Sequence, residues 1–383
     1  MLTTLTFRLY PSLTQVVSLE HYLSVGRQIF NDALEQRKRH YAETGKLLSL
    51  YTQFADLTIM RSVSGVLAMV PVLVARDALS RVDLAFRHFF RRLNGSSGKA
   101  GFPRFKSWKR WNSFSISSPG KTVVRGNRIR VSGLETTIRA RNVQPFAGTV
   151  KQQRIIRRAG RWHCQLVVDD CQPTLPLVPV RSAVGIDVGL KSFAALSNGE
   201  SVDNPRFARD AARKVASANR SVSRKSKGSR SRHKAILRLQ LTHARVAGLR
   251  SNFAHQLSRR LVNEHQFIAI EDLNINGMVH GRLANGIMDA AWGQFARNLT
   301  YKAANAGGQV IRVNPSGTSQ DCSSCGHKVA KSLTVRIHRC PSCGLVLNRD
   351  HNAALNILQR ALKLAPGPGR GIGKACGAAT KPL

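Results

Sequence analysis

The sequence predicts a multidomain protein in which an α/β part follows a helical block and a small β-barrel or sandwich. Three observations predict it. The chain has 383 residues, more than one ordinary core sustains, so two or three domains are expected. Its apolar spacing is helical over 12–94, alternates in short runs from Phe102 to about Val180, and becomes strand–helix alternation beyond Arg181. Two Cys-x-x-Cys pairs late in the chain mark a small module with its own means of folding.

The elements follow in order. Leu5, Phe7 and Leu9 alternate with polar residues and form a short strand that stops at Tyr10-Pro11. Ser12-Leu13-Thr14-Gln15 is a capping-box pattern, and Val16, Leu19, Leu23, Phe30 and Leu34 follow at helical spacing. Val74, Ala78, Val82, Phe86, Phe89 and Leu93 repeat that spacing before Gly95-Ser96-Ser97-Gly98. In the next block Val123-Val124 and Ile129-Arg130-Val131 flank Gly126-Asn127, and two longer strands flank Ala159-Gly160-Arg161, as a barrel or sandwich requires. The opening strand precedes the helices, so pairing it with this later sheet makes the helical block an insertion. After the Pro-rich stretch from Pro173 to Pro179, strands are predicted at 183–188, 193–196, 267–271 and 309–313, with helices between them. Beyond Lys363 the Gly- and Pro-rich tail reads as disordered.

Charge narrows the function. Sixty Lys and Arg stand against twenty Asp and Glu, a formal net charge of +40, which repels itself unless a polyanion neutralises it. Nucleic acid is the expected partner. A membrane role would need an apolar anchor, and the longest apolar run, Val66 to Ala75, is too short to span and contains Pro71. The first residues, Met1-Leu2-Thr3-Thr4-Leu5-Thr6-Phe7-Arg8, lack a charged leader with an apolar stretch behind it, so a cytoplasmic location is expected. Between Arg206 and Arg260 sixteen Lys or Arg face one acid, Asp210. An ordinary solvated helix face carries paired acids, which this stretch lacks, so it is read as a nucleic-acid-facing helical hairpin.

Cys322-Ser323-Ser324-Cys325-Gly326 and Cys340-Pro341-Ser342-Cys343-Gly344 are two knuckles separated by fourteen residues, close to the spacing of a four-cysteine zinc site. Without metal the segment has almost no apolar residues to fold around. Each Gly after the second Cys allows a tight knuckle turn, with backbone N–H groups expected to point at the sulfurs. Four thiolates fill a tetrahedral shell, so His327 and His338 are not needed as ligands and the zinc is expected to be structural. Cys164, Cys171 and Cys376 lie outside the pairs and are expected to be inert.

Chemistry is therefore sought among the acids, of which only ten lie beyond Arg181. Asp187 interrupts the apolar run Ala183-Val184-Gly185-Ile186, and Glu271 ends the run Phe267-Ile268-Ala269-Ile270. A lone buried carboxylate costs several kcal/mol unless it is paired or bound to a cation. Asp350 lies where a helix begins, in Asn348-Arg349-Asp350-His351-Asn352. Converging, the three would hold divalent Mg²⁺ or Mn²⁺ for phosphodiester cleavage. The competing readings are a helix N-cap for Asp350 and ion pairs with nearby arginines for Asp187 and Glu271.

These motifs, with Phe7-Arg8-Leu9-Tyr10-Pro11 and Phe102-Pro103-Arg104-Phe105-Lys106-Ser107, follow one another in an order over nearly the whole chain that resembles the TnpB/OrfB proteins of bacterial insertion sequences. Those proteins are RNA-guided nucleases similar to type V CRISPR effectors. The resemblance implies an RNase H-like (RuvC) nuclease domain at 181–315 and 346–363 with Asp187, Glu271 and Asp350 as catalytic acids, and a zinc ribbon at 316–345. It further implies a wedge-type barrel from 1–11 and 95–180, with recognition helices at 12–94, and leaves 364–383 as a basic tail. A guide RNA derived from the element and target double-stranded DNA are the implied partners. Candidate nucleic-acid contacts are Arg104 and Lys106 in the barrel and Arg224, Lys225, Lys227, Arg230 and Arg232 in the basic hairpin. One departure is Asn348, where the family usually carries Asp. Strand transfer of the tyrosine type needs two close histidines, and none of the twelve here forms a His-x-His pair. Two rivals to guided cleavage are a guided DNA-binding repressor that does not cut and a transposition accessory protein.

Overall fold

A computed structural model describes residues 2–95, 100–117, 119, 123–169, 175–281, 283–332 and 334–365. Cys171, Cys376 and the tail beyond Ala365 lie outside the described residues. The chain divides into two compact units, Met1–Pro173 and Thr174–Leu383.

In the first unit β1 (Leu2–Tyr10) precedes four helices, α1 (Leu13–Thr44), α2 (Leu50–Val63), α3 (Gly65–Ala68) and α4 (Val72–Leu93). Six strands follow: β2 (Ser113–Ser117), β3 (Val124–Arg125), β4 (Arg128–Ile129), β5 (Ile138–Arg141), β6 (Thr149–Arg158) and β7 (Arg161–Asp169). They form one antiparallel sheet in the order β2-β6-β7-β1-β5-β4-β3. The opening strand thus sits inside the sheet, with Leu5 opposite Leu166 on β7 and Arg8 opposite Arg141 on β5. The helices are inserted between two strands of this sheet, β1 and the edge strand β2, as the order of elements suggested. Closure into a barrel is not observed: among the described residues β2 and β3 are free edges that do not pair with each other.

The capping box forms as read, with Ser12 accepting the Gln15 N–H and the Gln15 side chain accepting the Ser12 N–H, and Gly45 at φ +68° ends α1. On α4, Val74, Ala78, Val82 and Phe86 are buried, whereas Leu93 is exposed because the apolar stripe leaves the sheet before the helix ends. Helices and sheet share one continuous apolar core that includes Phe7, Leu23, Phe30, Val82, Phe114, Ile155 and Leu166.

The second unit has a five-stranded sheet of β8 (Ala183–Val188), β9 (Ser192–Leu196), β10 (Ser201–Asp203), β11 (Phe267–Glu271) and β12 (Gln309–Val313), ordered β10-β9-β8-β11-β12. The first three pair antiparallel, and β11 lies parallel to β8 and β12. All four predicted strands are present within a residue at their ends. Side-chain alternation gives the sheet two faces. Val184, Ile186, Ile268 and Ile270 face α6 (Arg230–Glu264), α7 (Ile275–Met278), α8 (Ala284–Ala290) and α9 (Trp292–Asn305) in one core. Phe267, Ala269 and Val313 face α10 (Arg349–Leu364) in a second, smaller one. The basic stretch forms the predicted hairpin, α5 (Phe207–Ser223) packing along α6. Between β12 and α10 the chain makes a small module with one two-stranded sheet, β13 (Ile337–Arg339) and β14 (Val346–Asn348). Among the described residues no helix is long and apolar enough to cross a membrane.

Candidate active site and metal centre

Strand register brings the first two acids together. Ile186 on β8 pairs with Ile270 on β11, so the next residues, Asp187 and Glu271, lie on adjacent strands roughly 4.8 Å apart in backbone spacing. Both have the parity of Ala183, Phe267 and Ala269, hence both face α10 rather than the larger core. The third acid arrives because α10 crosses unusually close to β8. A Cβ on Gly185 would stand 2.1 Å from the Ala354 carbonyl oxygen and 2.8 Å from the Leu358 nitrogen. Only a residue without a side chain lets the helix backbone lie there. Asp350 is one helical turn before Ala354, at the end of the helix that overhangs Asp187.

Electrostatics registers this meeting. Burial pushes the Asp187 carboxyl well above the usual carboxylate range, the charges of Glu271 and Asp350 push it further, and Arg349 opposes them. Burial also raises the Glu271 pKa, against a hydrogen bond from Thr318 and the charge of Arg360. Asp187 thus has two carboxylates as charged neighbours, and carboxylate oxygens are the donors that hard divalent cations take.

The rival readings fare differently. The N-cap of α10 is Asn348, whose Oδ1 accepts the Asp350 N–H at 2.9 Å. The Asp350 carboxylate pairs instead with Arg349 Nη2 at 3.0 Å and, more distantly, with Arg336 Nη1 at 3.8 Å. Among the described residues Asp187 and Glu271 are in no ion pair, although the charges of Arg349 and Arg360 act on them.

The four cysteines converge. Their sulfurs all lie within 4.8 Å of one another, the only group of possible metal ligands so tightly gathered among the described residues. The Cys322–Cys343 and Cys325–Cys340 sulfurs are 3.6 and 3.5 Å apart without a disulfide. A tetrahedral shell with Zn–S of about 2.3 Å has edges of about 3.8 Å, so the donors fit zinc. Burial opposes ionisation of Cys340, but the backbone N–H groups of Cys343 and Ser342 and the neighbouring thiols outweigh it and hold its pKa down at about 6. The glycines act as expected through conformation, Gly326 at φ +76° and Gly344 at φ +72°. Their own N–H groups, however, bond the Cys322 and Cys340 carbonyls, at 2.9 and 3.0 Å.

The sequence-derived nucleic-acid candidates separate. Arg224, Lys227 and Arg230 are exposed around the turn of the basic hairpin, and Lys225 is half-buried there. Arg232 is committed to structure, its Nη1 donating to the carbonyls of Val222 and Lys225 at 2.9 and 3.0 Å and so capping the end of α5. Arg104 is exposed. Lys106 is strapped to α1, its N–H donating to Asn31 Oδ1 at 2.8 Å and its carbonyl accepting from Asn31 Nδ2 at 3.1 Å. Thr318 was not foreseen. It sits in Asn314-Pro315-Ser316-Gly317-Thr318, where neither charge nor metal-ligand spacing signals a role.

Three family models match the chain. One described as "Helix-turn-helix domain" covers residues 1–46, one described as "Probable transposase" covers 165–282, and one described as "Cas12f1-like, TNB domain" covers 292–357. Over 1–46 the structure has a strand and a single 32-residue helix rather than two helices joined by a turn. A Streptomyces pristinaespiralis protein named "Putative RNA-guided DNA endonuclease" is 33% identical over 93% of this chain and 88% of its own length. A protein of Escherichia coli (strain K12) with the same name and the suffix InsQ is 29% identical over 92% and 90%. Among solved structures, the cryo-EM structure of a Cas12f1–sgRNA–target DNA complex aligns with a TM-score of 0.55 at 14% identity, covering 93% of this chain and 98% of that one, and so shares its fold. On the relative that is a third identical over nearly its whole length, and on the models along the chain, this protein belongs to the TnpB/OrfB family.

Proposed function

We propose that this protein is an RNA-guided DNA endonuclease of RuvC type, with Asp187, Glu271 and Asp350 as its catalytic acids. The observation that carries the reading is the convergence of these acids at one end of a parallel strand pair, two of them with raised pKa values, in a chain of net charge +40. Bound there, Mg²⁺ or Mn²⁺ supplies the positive charge that phosphodiester hydrolysis needs at its attacking and departing oxygens. The chain's own part is to hold three carboxylates in fixed directions. Asp187 and Glu271 are held by strand register, and Asp350 by a helix end pinned close to Gly185. Arg349 and Arg336 beside Asp350 temper the repulsion among the three.

Sequence choice falls to base pairing with the guide, while the protein reads a short motif beside the target. On this reading 181–315 with 346–363 is the nuclease domain and 316–345 a structural zinc ribbon. Residues 1–11 with 95–180 are a wedge-type sheet and 12–94 its recognition helices. Reduced cysteines and a nucleic-acid partner suit a cytoplasmic setting. The exposed turn residues Arg224, Lys227 and Arg230, with Lys225 beside them, contact phosphates.

The test starts with the protein purified with its bound RNA, which is sequenced and used to design a matched duplex. Cleavage of that duplex in Mg²⁺, absent with a mismatched duplex and with Asp187→Ala, is the expected result. Guided binding without cleavage in the wild type would establish a repressor instead, and binding to element ends without RNA an accessory factor.

A further inference from the structure

The acid site and the cysteine module are joined by one buried hydroxyl. Thr318 is 4% exposed, and its Oγ1 lies 2.6 Å from Glu271 Oε1 and 3.0 Å from the Pro315 carbonyl oxygen. A hydroxyl has one proton to give, and the nearer, charged acceptor takes it. The backbone around Thr318 is clamped onto α10, the helix that carries Asp350. Asn356 Nδ2 donates to the Thr318 and Asp321 carbonyls at 2.8 and 2.7 Å. Asn352 Nδ2 donates to the Asp321 carbonyl at 2.8 Å, and its Oδ1 accepts the Ser323 N–H at 3.0 Å. Arg360 closes the clamp on the Asp321 carboxylate at 2.7 Å and on the Asn314 and Ser316 carbonyls at 3.0 and 2.6 Å. Asp321 and Ser323 flank the first cysteine, Cys322. Residues 314–323 are therefore a strap with a cysteine sulfur near one end and the hydrogen-bond partner of a carboxylate at its middle.

We propose that Thr318 is a positioning residue: its hydroxyl fixes the plane of the Glu271 carboxylate, commits Oε1 and leaves Oε2 for a divalent cation. Through it the cysteine module is mechanically coupled to the acid site. The inference rests on reading Glu271 as a cation ligand. A glutamate side chain otherwise has three torsions to order at the moment of binding, and a preset carboxylate spares that cost. The strap also explains why a metal module stands between β12 and α10, since it ties the strand after Glu271 to the helix that bears Asp350.

The experiment titrates Mn²⁺ into full-length, zinc-loaded protein freed of nucleic acid, following the free ion by electron paramagnetic resonance. Wild type is compared with Thr318→Ser, Thr318→Val, Glu271→Gln and the double variant Thr318→Val/Glu271→Gln. Loss of an outer partner of a metal ligand typically weakens binding about ten- to a hundredfold, which is the effect expected of Thr318→Val. Thr318→Ser retains the donor and binds as wild type. Adding Thr318→Val to Glu271→Gln weakens binding no further, because the hydroxyl acts only through that carboxylate. Zinc content and melting temperature establish that each variant is folded, and Thr318→Ala takes the place of Val if Val is not accommodated. Wild-type affinity in Thr318→Val with weakened affinity in Glu271→Gln overturns the inference alone. Equal losses in the Ser and Val variants also overturn it, since packing rather than the hydroxyl is then at work. Unchanged affinity in Glu271→Gln removes the cation-site reading, and the inference with it.

Discussion

Replacing Asp187 by Asn should make the protein more stable and inactive at once. The native carboxyl is raised by burial and by the charges of Glu271 and Asp350. Two carboxylates about 5 Å apart at an effective dielectric constant of about 20 repel by roughly 3 kcal/mol. Partial protonation and solvent access relieve part of that, leaving on the order of 1–2 kcal/mol for an isosteric neutral side chain to recover. For a unit of this size each kcal/mol moves the melting temperature by about 2–4 °C, so the Asp187→Asn variant should melt about 2–8 °C higher.

The pH dependence has a definite sign. A carboxyl whose native pKa lies above its unfolded value of about 3.9 binds more protons when folded, so the wild type loses stability as pH rises from there through the native pKa. The gap between variant and wild type should therefore open over that interval and then level off. Thermal unfolding is followed in magnesium-free buffer without a chelator, because a chelator would also take zinc. Adding Mg²⁺ should raise the melting temperature of the wild type and leave the variant nearly unmoved. Equal or lower stability of the variant in magnesium-free buffer would refute the crowded-carboxylate argument, and retained cleavage would remove Asp187 from the catalytic set.

Three further outcomes are expected. Elemental analysis of the wild type should find one zinc per chain, and Cys322→Ser and Cys343→Ser should lose it, with lower soluble yield and, through the strap, lower activity; a wild type without zinc refutes the assignment. Gly185→Ala places a Cβ against the Ala354 carbonyl and should cost about 1–3 kcal/mol in denaturant unfolding, together with most of the cleavage because Asp350 is displaced; unchanged stability contradicts the close helix crossing. Substituting Arg224, Lys225, Lys227 and Arg230 by Gln should weaken matched and mismatched binding alike and flatten the log–log salt slope by about 0.7–0.9 for each phosphate no longer neutralised. Arg232→Gln by itself should instead lower the melting temperature, since it caps α5; a wild-type salt slope in the fourfold variant would place the binding surface elsewhere.

Local features of this chain were legible in its sequence because their causes are local. Strand alternation at Leu5, Phe7 and Leu9, the box at Ser12 and Gln15, and the knuckles at Cys322 and Cys340 each depend on residues a few positions apart. The acids Asp187 and Glu271 announced themselves because a charge in an apolar strand has a cost that something must offset. Position in the sequence could suggest, but not decide, that β1 lies between β5 and β7, because strand order is set by long-range pairing. Nor could it show that the first sheet stays open, or that one core serves both that sheet and the helices.

The same limit applied within the site. Arg232 and the hairpin lysines look alike as charges, and only the carbonyls of Val222 and Lys225 distinguish a helix cap from a side chain left to solvent. The N-cap role that the sequence allowed Asp350 falls to Asn348 once the helix start shows which side chain accepts the N–H. Thr318 carries neither charge nor periodicity. Its importance comes from a hydrogen bond to a residue 47 positions away, and such a partner exists only once strand register, the Gly185 crossing and the strap have brought the two together.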